Sequence, residues 1–418
     1  MKAKVEIINI GDELLIGQVI NTNASWMGSI LSEHGFEVIK ITVVSDEGSQ
    51  IEDAISAAME KSDIVLISGG LGPTKDDITK KVLAEYFDSE MYFNEEAFQN
   101  IENLFKSRGF KITGVNKDQA NLPKKAIAIP NKYGTAYGMW FDKDEKVIVS
   151  MPGVPFEMKT MMENEVIPRL EVQFKPEKYF QKTIMTTGVG ESFLAGIIEE
   201  VEDNLPEHIK LAYLPRPGLV RLRLSARGVD EQIIKEEIQA EVDKIISILG
   251  DKIVFGYDDV SLESALAQLL LQQNKTISTA ESCTGGHIAH MLTSLAGSSQ
   301  YFHGSVVSYS NEAKHKVLGV KAEDIEQFGA VSETVVRQMA EGARRQLNTD
   351  YSMAISGIAG PDGGSVEKPV GYTWIAVSGP KGTISKVYQF GEHRGRNIMR
   401  ASLAALNMLR VLIMDDAG

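Results

Sequence analysis

Short, nearly unbroken apolar runs punctuate the first third of the chain. Val5 to Ile10 and Asp63 to Ile67 are two of them, and Val147 to Ser150 is a third, closed by Met151-Pro152-Gly153-Val154-Pro155. Strands covered on both faces have this composition, whereas a half-solvated strand alternates. Between the runs the spacing changes. Trp26, Met27, Ile30 and Leu31 recur at helical intervals within 22–34, 49–61 reads as a second helix, and Phe36 to Val44 reads as a strand. A helix from Phe156 is predicted to end near Pro168, because proline removes a helical donor and crowds the preceding turn. Alternating strands and helices predict a parallel sheet covered by helices over residues 1–172.

The pattern shifts near Gln173 to Lys178, which reads as a linker. Lys182 to Thr187 and Val220 to Ala226 alternate apolar with polar, and helices of about 191–203 and 230–249 accompany them. Residues 173–257 therefore read as a small α+β connector with one solvated sheet face. Beyond it, Ser261 can cap a helix whose Leu262, Ala265, Leu266, Leu269 and Leu270 form one stripe. Strands are expected at Thr276–Ala280, Ser305–Tyr309, Tyr351–Ser356, Thr373–Ser378 and Ile384–Phe390, with a closing helix from about Gly395 to Met414. Residues 258–418 thus form a second α/β layer domain. The fold class is α/β, with two layer domains joined by the connector.

Charge narrows the partners. The 418 residues hold 43 Lys+Arg against 57 Asp+Glu, a net charge of −14. That surplus argues against nucleic acid, whose phosphates need clustered basic residues. The single cysteine, Cys283, excludes an internal disulfide framework and a Cys-rich zinc site. The two early lysines meet Asp12-Glu13 too soon for a leader, and no stretch approaches the roughly 18–20 apolar residues of a membrane span. A soluble, cytoplasmic protein with no membrane partner is expected.

In the first domain, Gly69-Gly70-Leu71-Gly72-Pro73-Thr74-Lys75-Asp76-Asp77 follows a buried strand and precedes a helical stretch. Such glycines let backbone N–H groups approach an anion, although a tight turn with a capping Asp fits equally. Gly11-Asp12-Glu13-Leu14, Ser45-Asp46 and Met151-Pro152-Gly153-Val154-Pro155-Phe156-Glu157 also follow strands. In an open parallel sheet these ends line one crevice, so Glu13, Asp46, Asp77 and Glu157 are expected to converge there. Carboxylates beside an anion loop suggest a divalent metal holding phosphate oxygens.

Residues 1–170 resemble the molybdopterin-binding fold family. The Gly-Asp-Glu-Leu-Leu and Gly-Gly-Leu-Gly-Pro-Thr-x-Asp-Asp wording is similar to the amino-terminal half of the competence/damage-inducible protein A (CinA) family. The resemblance implies hydrolysis of ADP-ribose-like pyrophosphates with a divalent metal (Mg, Mn or Co), potassium being a further candidate ion. It implies a nucleotide site of Gly11, Glu13, Asn23, Asp46, Gly69, Gly70, Gly72, Thr74, Pro152 and Gly153. Asp77 is the expected metal ligand with Glu157 beside it, although a glutamate starting a helix is also a favourable dipole partner.

In the last domain, Thr279-Ala280-Glu281-Ser282-Cys283-Thr284-Gly285-Gly286 stands where a strand gives way to a helix. Ser282 there is either a cap or a nucleophile with N–H groups nearby for an oxyanion. A nucleophile needs a base. His287 and His290 fall at i, i+3 and read as packing residues or a metal face, with no carboxylate at ligand spacing. Lysine is the alternative, activated by burial, and Tyr309-Ser310-Asn311-Glu312-Ala313-Lys314 offers one at the same sheet edge. Ser356-Gly357-Ile358-Ala359-Gly360-Pro361-Asp362-Gly363-Gly364 fits backbone contact with phosphate or ribose, and Arg394 and Arg396 suit phosphate charge.

These strings resemble the carboxy-terminal domain of the same CinA family, and the likeness spans the whole chain, with a KH-type connector. The connector lacks a Gly-x-x-Gly clamp, so RNA is not expected. The resemblance implies a nicotinamide-nucleotide amidohydrolase, converting nicotinamide mononucleotide (NMN) to nicotinate mononucleotide and ammonia without a cofactor. Ser282 would be the nucleophile, Lys314 and Tyr309 its activating partners. Thr284, Gly285, Gly286, Asn311, Ser356, Gly357 and Arg396 would bind substrate. Cys283 is the rival nucleophile, unless it is turned into the core. A homodimer is implied as well. One alternative stays open: only one domain is active, the other serving as a nucleotide-binding or competence-related partner module.

Overall fold

The computed structural model describes residues 3–109 and 111–417. The chain forms two compact units, Met1–Phe180 with Arg227–Ile234 and Gln181–Ala226 with Lys235–Gly418.

In the first unit, β1 (Lys4–Ile10), β2 (Glu37–Val44) and β3 (Ile64–Ser68) precede a small antiparallel pair, β4 (Met91–Phe93) and β5 (Asn121–Pro123). Then come β6 (Ile127–Ile129), β7 (Gly138–Lys143) and β8 (Lys146–Met151). The main sheet runs β2-β1-β3-β8-β7-β6. Its first four strands are parallel, β7 runs antiparallel to β8, and β6 runs antiparallel to β7. The unbroken apolar runs follow from two cores. Val5, Ile7, Ile64, Leu66, Val147 and Val149 pack on one face. Ile8, Ile10, Val65, Ile67 and Ile148 pack on the other. The order reverses between β1 and β3, so the carboxyl ends of the four parallel strands open one crevice.

Pro168 does not end its helix. Helix Pro155–Met161 passes through a π turn, Met162–Val166, into helix Ile167–Phe174, with Pro168 in the first turn of that last segment. It stands just after the π turn, where Ile167 N–H already bonds five residues back to the Met162 carbonyl, so the regular i→i−4 ladder is interrupted before the proline and the helix continues past it. Of the expected linker, Gln173 and Phe174 close the helix, residues 175–177 are irregular, and Lys178 opens the next strand.

Next, β9 (Lys178–Thr187), β10 (Ile209–Arg216), β11 (Leu219–Gly228) and β12 (Val254–Tyr257) form a sheet in the order β10-β11-β9-β12. β10 and β11 are a hairpin whose last pair is Arg216 with Leu219. Beyond it, β13 (Ile277–Glu281), β14 (Phe302–Val307), β15 (Tyr351–Gly357), β16 (Tyr372–Gly379) and β17 (Gly382–Gln389) run β14-β13-β15-β16-β17. The first three are parallel, β16 runs antiparallel to β15, and β17 runs antiparallel to β16. Ile277, Met353, Ile355, Ile375 and Val377 meet Leu266, Leu270, Leu406 and Leu409 of two helices on one face. On the other, Ala280, Ala354 and Ala376 let helix Glu333–Leu347 sit close through Val336, Met339 and Ala340. The closing helix, Arg394–Ala417, is long and apolar enough to cross a bilayer, contrary to the sequence expectation, and half of its apolar window is buried against this domain.

Candidate active sites

Ser282 follows the last residue of β13, and its N–H donates to the Ile355 carbonyl at 3.1 Å, fixing it beside β15. Lys314 comes from helix Asn311–Leu318, whose Ala313 N–H donates to the capping Ser310 hydroxyl at 3.1 Å. The Lys314 side chain is 1% exposed. Its Nζ lies 3.0 Å from Ser282 Oγ and donates to the Ser308 carbonyl at 2.7 Å. Burial holds the Lys314 pKa below the ordinary lysine value. A neutral amine at that distance is a base for the serine hydroxyl.

Glu281 organises the turn. Its buried carboxylate accepts N–H bonds from Gly286 at 3.0 Å, Ile288 at 3.1 Å and Ala289 at 2.9 Å, at the start of helix His287–Thr293. Orphan helix donors and the positive end of the dipole favour an anion there. Gly285 N–H donates to the Ser282 carbonyl at 3.1 Å. The N–H groups expected near Ser282 for an oxyanion therefore narrow. Gly285 and Gly286 are occupied, while the N–H groups of Cys283 and Thr284 donate to no other residue among those described. Thr284 Oγ1 and Ser308 Oγ are buried with no hydrogen-bond partner among the described residues. Cys283 sits in the core, and burial pushes its thiol up to about 12, which removes it as a thiolate rival.

Tyr309 departs from expectation. It is 64% exposed, and its hydroxyl accepts from Arg394 at 3.4 Å rather than meeting Lys314 or Ser282. β14 ends at Val307, and Ser308 takes the buried position, so the next side chain turns out to the mouth. Arg394 also donates to the Gly360 carbonyl at 2.8 Å, joining Tyr309 to the Gly-rich loop.

At the carboxyl ends of the first sheet is a cavity of about 380 Å³. Glu13, Asp46, Asp76, Asp77 and Glu157 line it, together with the loops at Gly11, Gly69, Gly70, Gly72, Pro152 and Gly153, and no lysine or arginine does. Gly69 and Gly70 adopt φ of +117° and +66°, and a Cβ on Gly70 would lie 2.0 Å from Thr79 Oγ1, so the loop needs glycine. Asp46 is pushed up by burial and by Asp12, Glu13 and Asp76, against the Asp12 N–H bond that it accepts. Asp77 accepts from Thr74 N–H at 2.9 Å and from its hydroxyl, and Glu157 accepts from Asn131 at 2.7 Å. Asn23 and Thr74 stand outside the lining. Asn23 pins the Gly153 carbonyl at 2.7 Å and Ser68 at 3.1 Å, and Thr74 holds Asp77. Gln119, unforeseen from sequence, lines the cavity with both amide atoms buried and unpartnered.

Among the described residues no three His, Cys, Asp or Glu side chains gather to hold an ion alone. The donor set instead suits an ion shared with a ligand: magnesium-like cations take one or two carboxylates plus phosphate oxygens and water. Five carboxylates without a basic residue would repel a phosphate unless a cation came with it.

Three family models match in series: "Probable molybdopterin binding domain" over residues 6–172, "Damage-inducible protein CinA KH domain" over 181–256, and "CinA C-terminal domain" over 259–413. A CinA-like protein of Flavobacterium psychrophilum is 48% identical over 417 residues, 99% of either chain. One from Cytophaga hutchinsonii is 44% identical over 97% of each. The chain belongs to the CinA family. A solved CinA structure from Thermoplasma acidophilum is 34% identical, covering 39% of this chain and 95% of its own, with a TM-score of 0.36.

The remaining positions of this CinA-family chain divide. Ser356 Oγ donates to the Ala330 carbonyl at 2.7 Å, and Gly357 packs on Thr373. Asn311 and Arg396 are exposed, Arg396 N–H meeting His393 at 3.4 Å. Arg394 is thus the arginine in contact with other site residues. His287 pairs with Ser402 at 2.9 Å, a packing role. Buried Asn397, also missed, staples the Gly-rich loop, bonding the Ala359 carbonyl at 3.0 Å and the Gly391 carbonyl at 2.7 Å. Nothing in the spacing announces Asn397 or Glu281 as a scaffold, because both act through backbone groups distant or out of phase in the chain.

Proposed function

We propose that the carboxy-terminal domain hydrolyses the carboxamide of NMN, giving nicotinate mononucleotide and ammonia. The observation that carries this reading is Lys314 Nζ 3.0 Å from Ser282 Oγ, in an interior that favours the neutral amine. Lys314 takes the hydroxyl proton as Oγ bonds to the carboxamide carbon. The oxyanion meets the N–H groups of Cys283 and Thr284. The C–N bond breaks as Lys314 returns the proton to the departing nitrogen, releasing ammonia. Water then attacks the acyl-serine, Lys314 again accepting a proton, and frees the acid and Ser282. Tyr309 and Arg394 act at the mouth on the substrate, not in the proton relay. The family strings around Ser282, Lys314 and Ser356 support a nicotinamide nucleotide as the substrate.

The acidic crevice supports a second activity, hydrolysis of the ADP-ribose pyrophosphate to AMP and ribose 5-phosphate. Asp77, with Glu157 beside it, would hold a divalent cation together with the substrate's phosphate oxygens, and the cation when bound neutralises phosphate charge. Glycine-loop N–H groups position the diphosphate. The test is incubation of the full chain with NMN and with ADP-ribose, with and without divalent metal, and identification of products. Nicotinate mononucleotide with ammonia, independent of metal, and metal-dependent AMP are expected. No product from NMN would overturn the first reading, and no AMP under any metal would leave the crevice a binding module.

A further inference from the structure

We propose that the second unit holds a further site, for a phosphorylated nucleotide, in the cleft between the connector sheet and the carboxy-terminal sheet. The cleft encloses about 580 Å³, within the usual range for small-molecule sites. Ser282, Lys314, Tyr309 and Arg394 do not line it, so it is separate from the amidase centre.

Its charge is opposite to that of the chain. Arg216, Lys252, Lys386 and Arg400 line the cleft against one carboxylate, Glu191, in a protein of net charge −14. Lys252 is paired with Asp415 at 2.9 Å. The side chains of Arg216, exposed at the end of the β10–β11 hairpin, and of Arg400, half-buried on the closing helix, have no hydrogen-bond or ion-pair partner among the described residues. A half-buried guanidinium without an acidic partner is completed by an anion, and its planar fork fits phosphate. The connector adds a second feature. Helix Glu191–Asp203 starts at Gly190 without a side-chain cap, and both Gly188 and Gly190 line the cleft, so first-turn N–H groups are available to the same anion.

An aromatic platform gives the nucleotide part of the assignment. Tyr388 and Phe390 stack with centroids 5.4 Å apart at an interplanar angle of 5°, and Lys386 Nζ lies 5.2 Å from the Tyr388 centroid. Lys386 and Tyr388 line the cleft from alternate positions of the edge strand β17, and Phe390 follows directly after its end. A planar base fits against that platform with its phosphate toward Arg216 and Arg400. Two free arginines match one phosphate group rather than the basic track of a polynucleotide.

The experiment uses 8-azido-AMP as photoprobe on the full chain, with mapping of the labelled peptides. Label is expected on the segments containing Tyr388, Phe390 or Arg400, suppressed by excess AMP but not by excess adenosine. The Arg216→Ala/Arg400→Ala double variant, with an unchanged circular dichroism spectrum, is expected to lose label at these segments by about tenfold or more, given two charge-assisted contacts. Arg216→Lys/Arg400→Lys is expected to retain part of it. Equal labelling of wild type and the alanine variant, or label confined to other segments, would overturn the proposal. Neither result depends on whether NMN or ADP-ribose is turned over.

Discussion

Lys314 Nζ lies 3.0 Å from Ser282 Oγ, and the lysine is 1% exposed with no carboxylate paired to it. Burial lowers its pKa, so the base form gains population as pH rises through a value below the ordinary 10.4 or so. A kcat/KM profile for NMN is therefore expected to climb with pH to a plateau with its midpoint below that value. Lys314→Arg, protonated throughout, is expected to be inactive across the range.

The same shift sets a stability effect. The unfolded chain holds the Lys314 proton up to the ordinary lysine pKa, while the folded chain releases it lower. Between the two values the unfolded state binds more protons, so stability rises with pH. Lys314→Met is expected to be inactive, yet no less stable than wild type at neutral pH, with that pH slope flattened. Thermal unfolding at several pH values checks it.

Cys283, its thiol pushed to about 12 and packed in the core, is expected to resist iodoacetamide in the native state and react after denaturation. NMN hydrolysis is expected to survive native treatment unchanged. Rapid native alkylation with loss of turnover would return Cys283 to candidacy.

Glu281→Gln replaces a carboxylate that accepts from Gly286, Ile288 and Ala289. The amide end cannot accept, so at least one of these buried donors loses its partner, at a cost of about 1–3 kcal/mol. A lower unfolding temperature and lower kcat are both expected, because the same turn carries Ser282. Circular dichroism melts and steady-state rates read them separately.

Chelation separates the two proposed activities. EDTA is expected to stop AMP release from ADP-ribose while leaving ammonia release from NMN unchanged. Asp77→Ala is expected to act on the first alone, since Asp77 lines the first-unit cavity. Loss of both activities on chelation would contradict the assignment of the amidase as metal-free.

Much of the fold was legible because the buried strands are written without interruption: Val5 to Ile10 serves two cores, with Val5 and Ile7 on one face and Ile8 and Ile10 on the other. β10, β12 and the short β4 to β7 escaped, since their runs are brief or carry mixed burial. Pro168 misled because its position within a helical turn, not its presence, decides whether a helix stops. At the site, the Ser282–Lys314 meeting was readable from the resemblance of the strings. The place of Tyr309 was not: ending the strand two residues early changes what the next side chains meet. Arg394 and Arg396 are two helical positions apart, about 200° around the axis, so one alone reaches Tyr309.

The most direct measurement is ammonia release from NMN by Ser282→Ala, beside wild type, in protein shown folded by circular dichroism. Turnover is expected to fall by about a thousandfold or more, with the spectrum unchanged. Ammonia release at the wild-type rate from that variant would contradict Ser282 as the nucleophile.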